Sequence, residues 1–238
     1  MKNRIINWIK QQVKQSGSNG IVLGLSGGID SSVVAALAKQ AVGASNILGL
    51  FMPCHSHPDD LADAKMLAKQ LKIKTRLVDL SKAGDLLLKI LPKGNSLARA
   101  NLRPRLRMMV LYYFANSLNY LVCGTGNKSE LLAGYFTKYG DGGVDLLPIA
   151  GLTKTQVRRL ARELNLPARI ITKPPTAGLW PGQTDEAEMG ITYPELDDII
   201  ERLCSKKRQV LAPGKVNKVK QMIKKSEHKR QGAKIFYI

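Results

Sequence analysis

Residues 24–32 read GLSGGIDSS, a run whose residue types and order fit a phosphate cradle. Gly27 and Gly28 let the main chain approach an anion closely, and N–H groups at a helix start would point at it. Ser26, Ser31 and Ser32 add hydroxyl donors. Asp30 is the odd member, because a carboxylate beside a phosphate is repulsive unless a cation lies between them. Mg²⁺ is the cation that suits such oxygens. Helix capping by Ser and Asp explains part of the run, but capping has no need of paired glycines. The run lacks the lysine of G-x-x-x-x-G-K-[ST], and it does not match G-x-G-x-x-G.

The elements that must position this loop follow from the flanking pattern. Residues 20–23 are apolar and read as a buried strand, and residues 32–38 read as a buried helix. Further strands are expected at residues 47–51, 75–80 and 120–124, with the first at 21–25. Helices are expected at residues 59–71, 97–119 and 153–164, and Pro104 should kink the middle one or mark its start. The first residues, 1–9, read as an amphipathic helix. This alternation predicts an α/β fold, a doubly wound parallel sheet with helices on both faces. Ligands of such sheets bind at the carboxyl ends of the strands, where the loop and Thr125 both fall. Residues 134–151 and 172–190 break the alternation with glycine and turn signals and are expected to be functional loops or disordered segments.

The motif Ser-Gly-Gly-x-Asp-Ser resembles the pyrophosphate loop of the ATP pyrophosphatases, which cleave ATP between its α and β phosphates. Residues 101–108 (NLRPRLRM), 124–130 (GTGNKSE), 136–145 (FTKYGDGGVD), 152–155 (LTKT), 173–180 (KPPTAGLW) and 227–230 (EHKR) narrow the match. In this order, over nearly the whole chain, they resemble the NAD synthetase family. The resemblance implies ATP- and Mg²⁺-dependent amidation of deamido-NAD by ammonia through an adenylate, giving NAD, AMP and pyrophosphate. It implies ATP contacts from Gly24, Leu25, Ser26, Gly27, Gly28, Ile29, Asp30, Ser31, Thr125, Lys154 and Thr176. Asp30 and Glu130 would hold Mg²⁺ and, with Lys154, form the catalytic set. Arg105, Lys138, Asp145, His228 and Lys229 would contact deamido-NAD. A homodimer in the cytoplasm is implied as well. A single domain over residues 1–238 is expected, without a glutaminase domain.

The remaining composition bounds the alternatives. The formal charge is +19, and residues 202–234 hold twelve Lys or Arg against one acid, Glu227. A tRNA-modifying adenylating enzyme would use the same loop and would welcome this charge. However, aromatic residues make up only 5% of the chain, and no stacking surface accompanies the lysines. Attraction of small anionic substrates therefore ranks above nucleic acid. Cys54, Cys123 and Cys204 are far apart with no C-x-x-C, which argues for a reducing compartment. No apolar run reaches the length of a membrane span. Residues 54–57, Cys-His-Ser-His, would make one metal-ligating face on a strand, but no second cluster supplies ligands at zinc spacing. Trp180 and Tyr193 read as packing or loop-anchoring residues.

Overall fold

The structure is a computed structural model and describes residues 1–176, 184–205 and 210–236. In chain order its elements are α1 (Lys2–Gln15), β1 (Gly20–Gly24), α2 (Ile29–Val42), β2 (Ile47–Phe51), α3 (Pro58–Leu71), β3 (Lys74–Leu77), α4 (Ser81–Ile90), α5 (Ser96–Ala100), α6 (Leu102–Leu118) and β4 (Tyr120–Val122). They continue with α7 (Lys128–Ala133), α8 (Lys154–Glu163), α9 (Ala168–Thr172), α10 (Asp185–Met189), α11 (Tyr193–Ser205) and α12 (Pro213–Ser226).

The four strands are parallel, in the order β3-β2-β1-β4, with Ile21 opposite Ile47 on one side and Leu121 on the other. β1 and β2 are almost uninterrupted apolar runs because helices cover both faces. Side chains alternate across the sheet. Ile21 and Leu23 join Ile9, Val33, Leu37 and Leu160 in the core under α1, α2 and α8. Val22, Leu48, Leu50 and Val122 face the other way, toward Leu80 and Ala115. A third cluster, with Tyr193, Leu196, Ile199, Ile200, Val216 and Val219, joins α11 and α12 to the end of α7. From β1 the chain winds out to β2 and β3, then returns to place β4 on the far side of β1. The winding reverses between β1 and β4, and a crevice opens there at the carboxyl ends.

The expected α/β architecture stands, with local differences. The helix expected over residues 97–119 is two helices. Asn95 caps the first, accepting from the Ala98 N–H at 2.8 Å, and the second starts at Leu102. Pro104 lies in the first turn of α6, where an N–H has no intrahelical acceptor, so it marks the start. β4 stops at Val122, and from there the outer side of the chain pairs with the 134–151 segment. Val122 O accepts from the Asp145 and Leu146 N–H groups, and Cys123 pairs in parallel with Leu146. Residues 134–151 thus add one rung to the sheet rather than forming a plain loop.

Candidate active site

β1 ends at Gly24 and delivers the chain to the phosphate-cradle turn. Leu25 still pairs with β2, its N–H donating to Leu50 O at 2.9 Å. Gly27 has φ +78°, and a Cβ there would lie 2.2 Å from the Asp60 carbonyl oxygen of α3. Both facts demand glycine. Gly28, with φ −87°, is the N-cap of α2. The turn is closed by its own hydroxyls. Ser31 Oγ donates to Gly28 O at 3.0 Å and lies 3.1 Å from Ser26 Oγ, while Ser32 Oγ donates to Gly28 O at 2.7 Å. Ser32 is fully buried, so its hydroxyl shapes the turn instead of serving as the donor expected from the sequence. The side chains of Leu25 and Ile29 are buried as well. Only their backbone groups could face an anion.

Asp30 enters on the first turn of α2. Glu130 enters on α7, three residues after Asn127, in a reciprocal capping box: Asn127 accepts from the Glu130 N–H at 3.0 Å, and Glu130 Oε2 accepts from the Asn127 N–H at 3.2 Å. Lys154 opens α8, itself capped by Thr153 and Gln156. The structure brings the three together. Lys154 Nζ donates to Asp30 Oδ2 at 2.5 Å and to Glu130 Oε1 at 3.1 Å, and only 2% of the lysine is exposed. Burial pulls the lysine pKa down, but the two carboxylates outweigh it and hold the value above the ordinary lysine range. Burial drives the Glu130 carboxyl up, against the pull of Lys154.

Three further residues build this cluster. Asn127 is fully buried, and its Nδ2 donates to Asp30 Oδ1 at 2.9 Å. Asp197 on α11 accepts from Ser129 Oγ and, at 2.7 Å, from the Thr155 N–H. This locks Glu130 and Lys154 side by side. The ring of buried Tyr193 lies 5.1 Å from Lys154 Nζ, a packing role for that residue. Sequence reasoning passed over Asn127, although the spacing Asn-x-x-Glu was a usable capping signal. Among the described residues no group of three or more His, Cys, Asp or Glu could hold a metal. Two carboxylates at a phosphate-binding turn fit a Mg²⁺ ion that takes its remaining ligands from phosphate and water. They do not fit an all-protein cage. His55 and His57 do not share a strand face. They follow β2 in a loop, where His55 lies 2.8 Å from Asp85 and His57 caps α3.

A second group gathers at the other end of α7, whose six residues rise about 9 Å. Arg105 donates to Lys138 O at 3.3 Å, and Lys138 Nζ donates to His228 O at 2.7 Å. Lys229 Nζ donates to Gly134 O and Phe136 O at 2.8 and 2.9 Å. Burial lowers its pKa, with Asp141 opposing. The elements involved are α6, the 134–151 segment and the turn Glu227–Lys229. Asp145 does not join them by any hydrogen bond. Its carboxylate accepts from the Val122 N–H at 2.8 Å and from the Tyr112 hydroxyl at 2.9 Å. Thr125 sits at the carboxyl end of β4, and exposed Thr176 follows α9. Trp180 lies outside the described residues, as do residues 177–179.

A family profile described as NAD synthase matches residues 1–233. The NH(3)-dependent NAD(+) synthetase of Carboxydothermus hydrogenoformans is 48% identical over 233 residues, covering 96% of this chain and 93% of that protein. The protein of the same description from Archaeoglobus fulgidus is 48% identical over 230 residues, covering 96% and 92%. Among solved structures, the NMN synthetase of Francisella tularensis superimposes with a TM-score of 0.92 at 36% identity, covering 100% of this chain and 97% of that one. The NH3-dependent NAD synthetase of Campylobacter jejuni gives 0.87 at 32%, covering 99% and 97%. With a profile match over almost its full length, the chain belongs to the NAD synthase family.

Proposed function

We propose that this protein is an ATP-consuming ligase that amidates deamido-NAD with ammonia, the last step of NAD biosynthesis. The observation that carries the reading is the near-full-length match to ammonia-dependent NAD synthetases. The buried Asp30–Lys154–Glu130 cluster beside a phosphate turn supplies matching chemistry. The nicotinate carboxylate attacks the α phosphate of ATP, pyrophosphate leaves, and ammonia then displaces AMP from the acyl-adenylate. For this the protein must position reactants and stabilise charge. Residues 24–31, with Thr125 and Thr176, hold ATP. Asp30 and Glu130 would hold Mg²⁺, and the bound ion would supply positive charge to the phosphates. Lys154 is already a cation at neutral pH and needs only to shift its contacts from carboxylate to phosphate.

Arg105, Lys138, His228 and Lys229 form the dinucleotide side, with exposed Asp145 beside them on the outer edge of β4. The Francisella relative is described as an NMN synthetase, which makes the corresponding mononucleotide acid the second candidate substrate. Three free cysteines and the absence, among the described residues, of a helix long and apolar enough to cross a membrane support a cytoplasmic enzyme. A homodimer completes the reading.

The test is to incubate the protein with ATP, Mg²⁺ and ammonium, with deamido-NAD or nicotinate mononucleotide, and to measure both amides. Deamido-NAD should give the higher kcat/KM. The attacking species is neutral ammonia, and none of the three histidines joins the Asp30–Glu130–Lys154 cluster to deprotonate ammonium. At fixed total ammonium the rate should therefore rise between about pH 7 and about pH 8.5. Glutamine should not replace ammonium. No NAD formed from deamido-NAD, or efficient use of glutamine, would overturn the reading.

A further inference from the structure

The ATP-binding residues proposed above lie on segments far apart in sequence, and one of those segments has no strand or long helix to fix it. Thr176 follows the five-residue helix α9 and is exposed. The phosphate turn, in contrast, is pressed against α3: Gly27 packs on the Asp60 carbonyl, with no room for a Cβ. Lys173 joins these two places. Its Nζ lies 2.7 Å from Asp60 Oδ1 and 2.7 Å from Asp63 Oδ2, both on α3. Asp63 is only 2% exposed, and Arg169 Nε lies 2.7 Å from its other oxygen. The carboxylate is thus engaged from both sides by the C-terminal end and the body of α9. Two residues after Lys173, Pro175 O accepts from the Asp185 N–H at 3.2 Å. Asp185 Oδ2 in turn accepts from the Tyr193 hydroxyl at 2.9 Å, and the Tyr193 ring lies beside Lys154.

An ion pair between exposed side chains contributes little. This one has a buried carboxylate at its centre, and its geometry spans 110 residues of sequence. It joins α3 at the turn that touches the phosphate cradle to the residue three positions before Thr176. We infer that Lys173 is a positioning residue for ATP. Through Asp60 and Asp63 it sets the register of the Thr176 segment against the phosphate turn, and it touches neither substrate. The inference rests on the assignment of residues 24–31 and Thr176 to ATP.

The experiment is steady-state kinetics with ATP and deamido-NAD varied separately, together with calorimetric titration of Mg·ATP and a thermal melt of each variant. Lys173→Met should raise KM and Kd for ATP roughly tenfold. The KM for deamido-NAD should stay within about twofold of wild type. Lys173→Arg, which keeps the charge and reach, should recover most of the affinity. Arg169→Gln removes a partner of Asp63 but leaves the Asp60–Lys173 pair, so it should lower the melting temperature without moving the KM for ATP. That difference separates positioning from a merely structural role. If Lys173→Met does not fold, Asp60→Asn decides, because it cuts one link and spares the buried Asp63 pair. It should still weaken ATP selectively. Unchanged ATP affinity in a folded Lys173→Met or in Asp60→Asn would overturn the inference, as would equal loss for both substrates. Thr176→Ala tests the underlying assignment by itself. No effect there would retire Thr176 as an ATP contact and overturn the inference with it, whereas weaker ATP binding there, with ATP affinity unchanged in Lys173→Met, would keep the assignment and overturn the inference alone.

Discussion

At the scale of single residues, the cluster around Lys154 sets two partly exposed carboxylates against one buried ammonium. Removing one charge leaves the others unbalanced as well as removing a function. Asp30→Asn and Glu130→Gln should each cut turnover by about 10²-fold or more at saturating ATP and Mg²⁺, the scale of losing one aligned charge stabiliser. Near wild-type turnover in both variants would remove them from the mechanism. Asn127→Ala should act differently. It loses a helix cap, worth about 1 kcal/mol, and leaves Asp30 Oδ1 without its amide donor while Lys154 still holds Oδ2. We expect a lower melting temperature and a reduced kcat, with little change in either KM. An unchanged kcat in the folded variant would reduce Asn127 to a cap. Asp30 stands out in the sequence as a lone acid in a glycine turn after a strand, whereas Glu130 and Lys154 are singled out by the family resemblance, because by itself each is an ordinary first-turn helix residue. The roles of Ser32 and Asp145 were less legible, because short hydroxyl and carboxylate side chains also bond nearby backbone, and residue type does not say which they do. Ser32 bonds Gly28 O and Asp145 bonds Val122 N–H.

At the scale of elements, the two glycines of the phosphate turn look alike in sequence but carry different constraints. Gly27 is left-handed and blocked by the Asp60 carbonyl, whereas Gly28 has an ordinary φ, and its nearest obstacle is Ser26 Oγ at 3.3 Å. Gly27→Ala should cost at least about 1–2 kcal/mol from the backbone conformation alone. It should also push α3 off the turn and weaken ATP strongly. Gly28→Ala should fold well and weaken ATP only modestly. Parallel measurements of melting temperature and ATP affinity check the contrast, and equal effects would contradict it. The strands and crossover helices were visible because buried strands are apolar runs and helices repeat at 3.6 residues. The break at Asn101 was hidden, because apolar residues continue across it at helical spacing and α6 starts after Asn101 with no side-chain cap hydrogen bond to mark it. The Leu146 rung was hidden for a simpler reason: a single bridging residue has no periodicity.

At the scale of the whole molecule, α6 is the element least explained by the chain alone. It has seventeen residues, mostly apolar, yet only Pro104 and Ala115 are buried. Met109 and Tyr113, four apart and so on one face, are 62% and 68% exposed. Leu86, Ile90, Leu91 and Leu97 on or beside α4 and α5 are exposed as well. Apolar exposure of this extent on neighbouring helices marks an interface, and the proposed homodimer supplies the partner: a two-fold contact sets the same patch on both chains face to face. Sedimentation should give about twice the 26.1 kDa of one chain. Met109→Glu combined with Tyr113→Glu would bury four carboxylates in the paired interface, a desolvation cost that apolar contact cannot offset. The variant should sediment as a monomer. Arg105 lies on the same helix, one turn before Met109, so loss of the partner should loosen the dinucleotide side first. The KM for deamido-NAD should rise several-fold while the KM for ATP changes little. A wild type that sediments as a monomer at micromolar concentration would refute the assignment of α6 as the interface, and so would a double variant that remains dimeric.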